Sequence, residues 1–105
     1  MKAENIFDSI PEELNKEMFD VLAQNEKITI ERIVSKGHTS PDVGWYDQEK
    51  SEWVMVLKGG ATIGFEDNDD IELNAGDHLT ILPHVKHRVC WTTPGIETVW
   101  LAVHY

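Results

Sequence analysis

The sequence predicts an all-β domain built as an antiparallel sandwich or barrel, and two observations carry this prediction. Seven short segments between Ile28 and His104 are rich in β-branched and aromatic residues. Glycine, asparagine or aspartate lies between several of them, as expected for tight turns. Short strands at close, regular spacing are typical of antiparallel sandwiches and barrels.

The segment before these strands is predicted to be a helix that runs from Ser9 to about Gln24. Ser9 and Glu12 form the S-x-x-E pattern of a capping box, and Pro11 suits a first helical turn. Apolar residues then recur at helical spacing: Leu14, Met18, Val21 and Leu22. We therefore expect one domain with a helical segment over residues 1–26 and a β-barrel over 27–105.

The bounds of the predicted strands also define the connections between them. The predicted strands are Ile28–Val34, Glu52–Leu57, Ala61–Glu66, Asp70–Leu73, His78–Leu82, Lys86–Trp91 and Glu97–His104. The longest connection, Gly37 to Ser51, is a candidate functional loop, because loops on a rigid scaffold often carry function.

Composition limits the function classes. The chain has 105 residues, enough for one modest core, and its net charge of −10 disfavours nucleic acid and anionic membranes as partners. Cys90 is the only cysteine, so an internal disulfide is excluded. No apolar run approaches a membrane span, and the N-terminus lacks the pattern of a signal peptide, so we expect a cytoplasmic protein.

Two spacings carry a family resemblance. Glu52 is followed by Gly59 after six intervening residues, and Gly76 is followed by His87 after ten. In these spacings the chain resembles the cupin family from about Ile28 to His104. The resemblance implies a double-stranded β-helix, also called a jelly-roll barrel.

The first motif departs from the family pattern. Cupins carry two histidines before the glutamate, and these positions fall on Tyr46 and Gln48 or, with a gap one residue longer, on Trp45 and Asp47. In the second motif, Leu82 stands at the proline position with Pro83 after it, and His84 stands at a glycine position.

The resemblance implies that Glu52 and His87 point into the barrel as metal ligands, with Gln48 or Asp47 as a third. Tyr46 would orient a substrate or move a proton. Such donors suit Zn, Fe, Mn or Ni. The alternatives are a hydrogen-bonded carboxylate at the barrel mouth and a core histidine.

Three functional interpretations follow. The first is a cupin that binds a small molecule together with a divalent metal, as an oxygenase, isomerase or lyase. The second is a metal-free binding or sensor domain that uses the same cavity, and the third is a structural oligomerisation domain. Trp53–Leu57 and Val99–Val103 are apolar on both faces, so a homodimer is expected as well.

Overall fold

The computed structural model describes all 105 residues, and it contains eight strands and no helix. Their bounds are β1 Met18–Gln24, β2 Thr29–Ser35, β3 Glu52–Lys58, β4 Gly60–Phe65, β5 Ile71–Asn74, β6 His78–Ile81, β7 His87–Thr92 and β8 Thr98–His104. The seven strands predicted from the sequence are all present, and each predicted bound lies within one residue of the observed one. No helix is present that could span a membrane.

The strands form two antiparallel sheets. A five-stranded sheet has the order β1-β2-β8-β3-β6, and a three-stranded sheet has the order β5-β4-β7. Several neighbouring strands, such as β2 and β8, are distant in sequence, as in a jelly roll. The all-β prediction is confirmed.

The core lies between the two sheets and follows from strand alternation. In β3 every second side chain, from Glu52 through Val54 to Val56, is buried, while the residues between them are half-buried. Opposite strands supply matching apolar residues, and the core cluster comprises Val54, Val56, Ala61, Ile63, Leu73, Ile81 and Trp100. Both sheets therefore contribute one face to a shared core.

The predicted N-terminal helix is wrong. Residues 9–17 are irregular, Ser9 has a φ of 58°, and Met18–Gln24 is strand β1, paired antiparallel with β2. Phe, Asp and Val are weak helix formers, and a short isolated helix is marginal in water. Pairing with β2 provides ladder hydrogen bonds that a helix at this place would leave unmade.

Arg32 fixes the chain before β1 on the outer face of the five-stranded sheet. Its side chain alternates with the inward-facing residues of β2 and is almost fully buried. The guanidinium binds the Asp20 carboxylate at 2.7 Å and donates to the backbone carbonyls of Ile6 and Asp8. The planar fork thus holds β1 and the N-terminal segment together.

Gly59 lies in the turn between β3 and β4. Its φ of +82° is one that residues with a side chain rarely adopt, so we expect substitution there to destabilise the protein. A Cβ at this residue would lie 2.8 Å from the carbonyl oxygen of Glu97 and from Cα of Thr98. We expect Gly59→Ala to lower the free energy of unfolding by about 3 kcal/mol, since left-handed strain and overpacking add. Urea denaturation measures this loss.

Gly95→Ala is the matched control. Gly95 has a similar φ of +78°, but a Cβ added there would have no atom within 4 Å beyond its two chain neighbours. We expect a loss of only about 1 kcal/mol from strain alone. Equal losses in the two variants would contradict the packing argument.

Candidate functional site

A pocket of about 240 Å³ lies between the two sheets, and 14 residues line it. The apolar wall is formed by eight residues: Phe19, Ile33, Tyr46, Val54, Ile63, Ile81, Val89 and Trp100. Five of the polar residues gather on one side, which we call the polar end: Glu31, Gln48, Glu52, His87 and His104. Glu17 is the remaining lining residue.

Glu52 and His87 meet at the polar end from different sheets. Glu52 begins β3 and is 9% exposed, whereas His87 begins β7 and is 5% exposed. Glu52 Oε1 lies 3.6 Å from His87 Nε2. The structure therefore brings together the carboxylate and the imidazole that the two motifs single out.

Gln48 joins this pair. Its Nε2 atom donates a hydrogen bond to Glu52 Oε1 at 3.0 Å and lies 3.3 Å from His87 Nε2. The amide nitrogen must face the carboxylate, because the amide oxygen would be repelled there. Gln48 thus occupies the place beside both ionisable groups.

His84 contacts both Gln48 and Asp47, but through different atoms. His84 has a φ of 63°, a conformation that suits the glycine usually found at this motif position. Its backbone N–H donates to the Gln48 carbonyl at 2.8 Å, and its Nδ1 lies 2.8 Å from Asp47 Oδ1 on the surface. Asp47 therefore lies outside the pocket, although the sequence suggested it as an alternative ligand.

His87 is held in one orientation by the backbone. Its Nδ1 lies 2.9 Å from the Val85 carbonyl, which can only accept, so Nδ1 carries a proton and Nε2 faces the pocket. Burial alone lowers the pKa of His87, but interaction with Glu52 and the hydrogen bond to Val85 outweigh burial and raise the pKa above 6.5.

The pKa of the Glu52 carboxyl group is shifted in the opposite direction. Burial raises its pKa, but hydrogen bonds with His87 and Gln48 and the nearby His104 outweigh burial and hold the pKa below 4.5. The ionised carboxylate is therefore favoured in the pocket despite its burial.

A second histidine–carboxylate pair completes the polar end. His104 pairs with Glu52 across β8 and β3, and its Nε2 lies 4.0 Å from Glu52 Oε2. The same nitrogen lies 2.8 Å from Glu31 Oε1. Sequence reasoning missed Glu31, although strand alternation places it on the same face as Ile33, an apolar residue of the pocket wall.

Tyr46 lies at the mouth of the pocket and is tied to His87. Two backbone hydrogen bonds link these residues, with N–O distances of 2.8 and 3.1 Å. Their ring centroids are 5.7 Å apart, and the tyrosine is about half exposed. The phenol is therefore accessible both to solvent and to a molecule in the pocket.

The donor set does not match a resident transition-metal site. Zinc sites in proteins use at least three protein ligands, and no group of three or more His, Cys, Asp or Glu side chains has suitable geometry. Beyond Glu52 and His87, His104 is already paired with Glu31, and Gln48 faces Glu52 and His87 with its amide nitrogen, which is not a ligand. No buried side-chain nitrogen or oxygen lacks a hydrogen-bond partner.

Comparison with known proteins places the site in context. A model of the cupin domain matches residues 32–104. A Ralstonia eutropha JMP134 protein, provisionally named a mannose-6-phosphate isomerase, is 42% identical, and the alignment covers 99% of this chain and 97% of that one with a TM-score of 0.94. No curated protein matches the sequence.

More distant structures share the fold. A cupin superfamily protein from Desulfitobacterium hafniense DCB-2 is 22% identical, with 90% of this chain and 82% of that one covered and a TM-score of 0.74. A protein from Thermus thermophilus is 13% identical, with 99% and 96% covered and a TM-score of 0.79. At these identities the likeness concerns the fold alone.

The Glu52–His87 pair predicts a pH dependence of stability. A raised His87 pKa stabilises the protein fully below pH 6.5 and loses this effect as pH rises through the folded-state pKa. A lowered Glu52 pKa stabilises above pH 4.5 and loses this effect as pH falls through its folded-state value. We expect the pair to contribute most between these two ordinary values, and urea denaturation from pH 4 to 9 measures this.

NMR titration of the histidine imidazole signals tests whether Glu52 raises the pKa of His87. Glu52→Gln should lower the pKa of His87, because the carboxylate that favours the imidazolium is gone. Glu31→Gln, which changes the partner of His104 instead, serves as the control. An unchanged His87 titration in Glu52→Gln would contradict the coupling.

Proposed function

The chain belongs to the cupin family, and from this membership and the geometry of the pocket we propose that it binds a small organic molecule between its sheets without a resident metal. The proposed ligand has an apolar body that contacts the pocket wall and one hydrogen-bonding group that contacts the polar end. Gln48, Glu52 and His87 act as direct binding residues, and Tyr46 orients the ligand at the mouth.

The shape and lining of the pocket carry this proposal. Ligand sites are typically concave and mostly apolar, with a few polar groups that fix orientation. Eight of the 14 lining residues are hydrophobic, and the ionisable groups Glu52 and His87 stand together at one side. A volume of about 240 Å³ suits a molecule smaller than most drug-sized ligands.

The hydrogen bonds of the polar end favour the metal-free form. A buried carboxylate needs a charge partner or hydrogen bonds, which a metal provides in many cupins. Here Gln48 donates to Glu52, and His87 lies beside it. The sequence-based prediction of a metal held by Gln48, Glu52, His87 or Asp47 remains the rival hypothesis.

The name of the Ralstonia relative suggests one reaction class, the isomerisation of a sugar phosphate. An isomerase of this kind has to bind a phosphate group, which in proteins is commonly held by arginine or lysine. Neither residue type lines the pocket of this chain. We therefore do not extend that substrate to this protein.

Benzyl alcohol is a suitable neutral probe for the proposed pocket. We expect it to bind with a millimolar dissociation constant, unchanged by EDTA, in titrations followed by protein NMR. Ile33→Trp should abolish binding because the indole fills the pocket. Thr62→Trp adds the same ring on β4 between the buried Ala61 and Ile63, where it points away from the core, and should leave binding unchanged.

Measurement of bound metal tests the metal-free proposal. After purification without chelators or a His tag, we expect far less than one metal ion per chain by mass spectrometry. One retained metal per chain that is lost in Glu52→Gln and in His87→Ala would overturn the metal-free proposal. Binding of benzyl alcohol that persists in Ile33→Trp would overturn the location of the site.

A homodimer is proposed on separate grounds, the outer face of the five-stranded sheet. There Trp53 is paired with Val103 and Met55 with Leu101, and all four apolar side chains are only half-buried. Contiguous, partly exposed apolar surface of this kind commonly marks an interface. A second copy of the chain that pairs through this face would cover it.

Light scattering tests the dimer. At micromolar concentration we expect twice the mass of the chain, and Met55→Lys should give a monomer because it places a charge within the apolar face. Thr62→Lys introduces the same charge on the outer face of the other sheet and should remain dimeric. A monomeric wild-type protein would refute the proposal.

A further inference from the structure

We infer that the pocket selects a ligand whose polar group is a cationic amine and rejects ligands with an anionic group. This inference rests on the proposed function, because it names the charge class of the molecule bound there. The neutral probe defined above tests binding itself, so the two ideas can fail separately.

The glutamates and histidines that line the pocket carry a net negative charge. Three are glutamates, Glu17, Glu31 and Glu52, and two are histidines, His87 and His104, while no lysine or arginine is present. The net charge of these five groups is therefore −3 with both histidines neutral and −1 with both protonated. Its sign is the same in either state.

Each of the three carboxylates also keeps one oxygen available to a ligand. Glu17 Oε2 accepts from Ser35, Glu31 Oε1 pairs with His104, and Glu52 Oε1 accepts from Gln48. Their other oxygens make no hydrogen bond within the protein. An ammonium group, which only donates, is the complementary partner for such acceptors.

Glu52 shows where an amine would bind. Its Oε1 accepts from Gln48, whereas Oε2 makes no hydrogen bond and lies 4.0 Å from the His104 nitrogen. Because no solvent-shielded side-chain oxygen lacks a partner, Oε2 is open to the pocket. Glu31 lies on the other side of that same nitrogen. An amine placed beside His104 would thus lie near two carboxylates.

The two arginines of the strands are engaged outside the pocket. Arg32 binds Asp20 on the outer face of the sheet, and Arg88 donates to the Asp42 carbonyl while its guanidinium stacks over Trp45. Because the pocket wall is mostly apolar, charges at its edge interact more strongly than charges on the surface. The three glutamates outnumber the two histidines and would repel a carboxylate or phosphate.

Three probes with the same ring test the inference: benzylamine, benzyl alcohol and benzoate. Their dissociation constants are measured at pH 7 in 0.15 M salt by protein NMR, with the shifted residues mapped onto the pocket. We expect benzylamine to bind at least tenfold more tightly than benzoate, with benzyl alcohol between them.

Glu31→Gln is the decisive variant, because it removes one charge and keeps a side chain of the same shape. It should reduce the ratio of benzylamine to benzoate affinity at least threefold. Glu72→Gln makes the same change in net charge at an exposed residue of β5 and should leave the ratio unchanged. This control separates pocket selectivity from general attraction to an acidic protein.

The outcomes distinguish the two proposals. Benzoate that binds as tightly as benzylamine, or a ratio that does not change in Glu31→Gln, would overturn the charge selectivity while leaving the pocket a binding site. If none of the three probes shifts the pocket residues at millimolar concentration, the proposed function itself fails and the inference fails with it.

Discussion

A buried carboxylate and a buried imidazole meet between the two sheets of this barrel, and the arrangement of the site depends on that contact. Glu52 begins a strand of the five-stranded sheet and His87 begins a strand of the three-stranded sheet. Removing either partner would leave the other without its opposite charge in a mostly apolar pocket, which is costly. Each group shifts the pKa of the other toward its charged form. The pair is thus both an element of stability and the chemical centre of the pocket.

The loop between β2 and β3 makes this contact possible without the histidines of the family's first motif. Tyr46 exchanges two backbone hydrogen bonds with His87, and Gln48 receives one from His84. These links fix the loop against the strand that carries His87. Gln48 is thereby held where its amide can donate to Glu52. Where the family motif has an imidazole, this chain has an amide that donates a hydrogen bond to the carboxylate.

The strands could be predicted from the sequence because burial alternates along them, as in β3. The N-terminal segment could not, because Leu14, Met18, Val21 and Leu22 have helical spacing while pairing with β2 decides the structure. The motif spacings identified Glu52 and His87. Glu31 was missed because no motif includes it, and its proximity to His104 depends on the register between β2 and β8. Asp47 and Gln48 are neighbours in sequence, and the motif spacing alone does not decide which one faces the pocket; in the structure Gln48 lines it and Asp47 contacts His84 on the surface.

The features that support the metal-free proposal also define what the pocket can accept. Gln48 and His87 satisfy one side of Glu52, so its carboxylate can stay ionised inside the barrel. Its other oxygen, together with Glu31 across His104, then creates a local excess of hydrogen-bond acceptors. No positively charged side chain from the rest of the chain lines the pocket to neutralise this excess. Under the metal-free proposal, a glutamate that accepts a hydrogen bond from an amide leaves the pocket with a negative balance, and a ligand that supplies donors and positive charge is the one that would complete it.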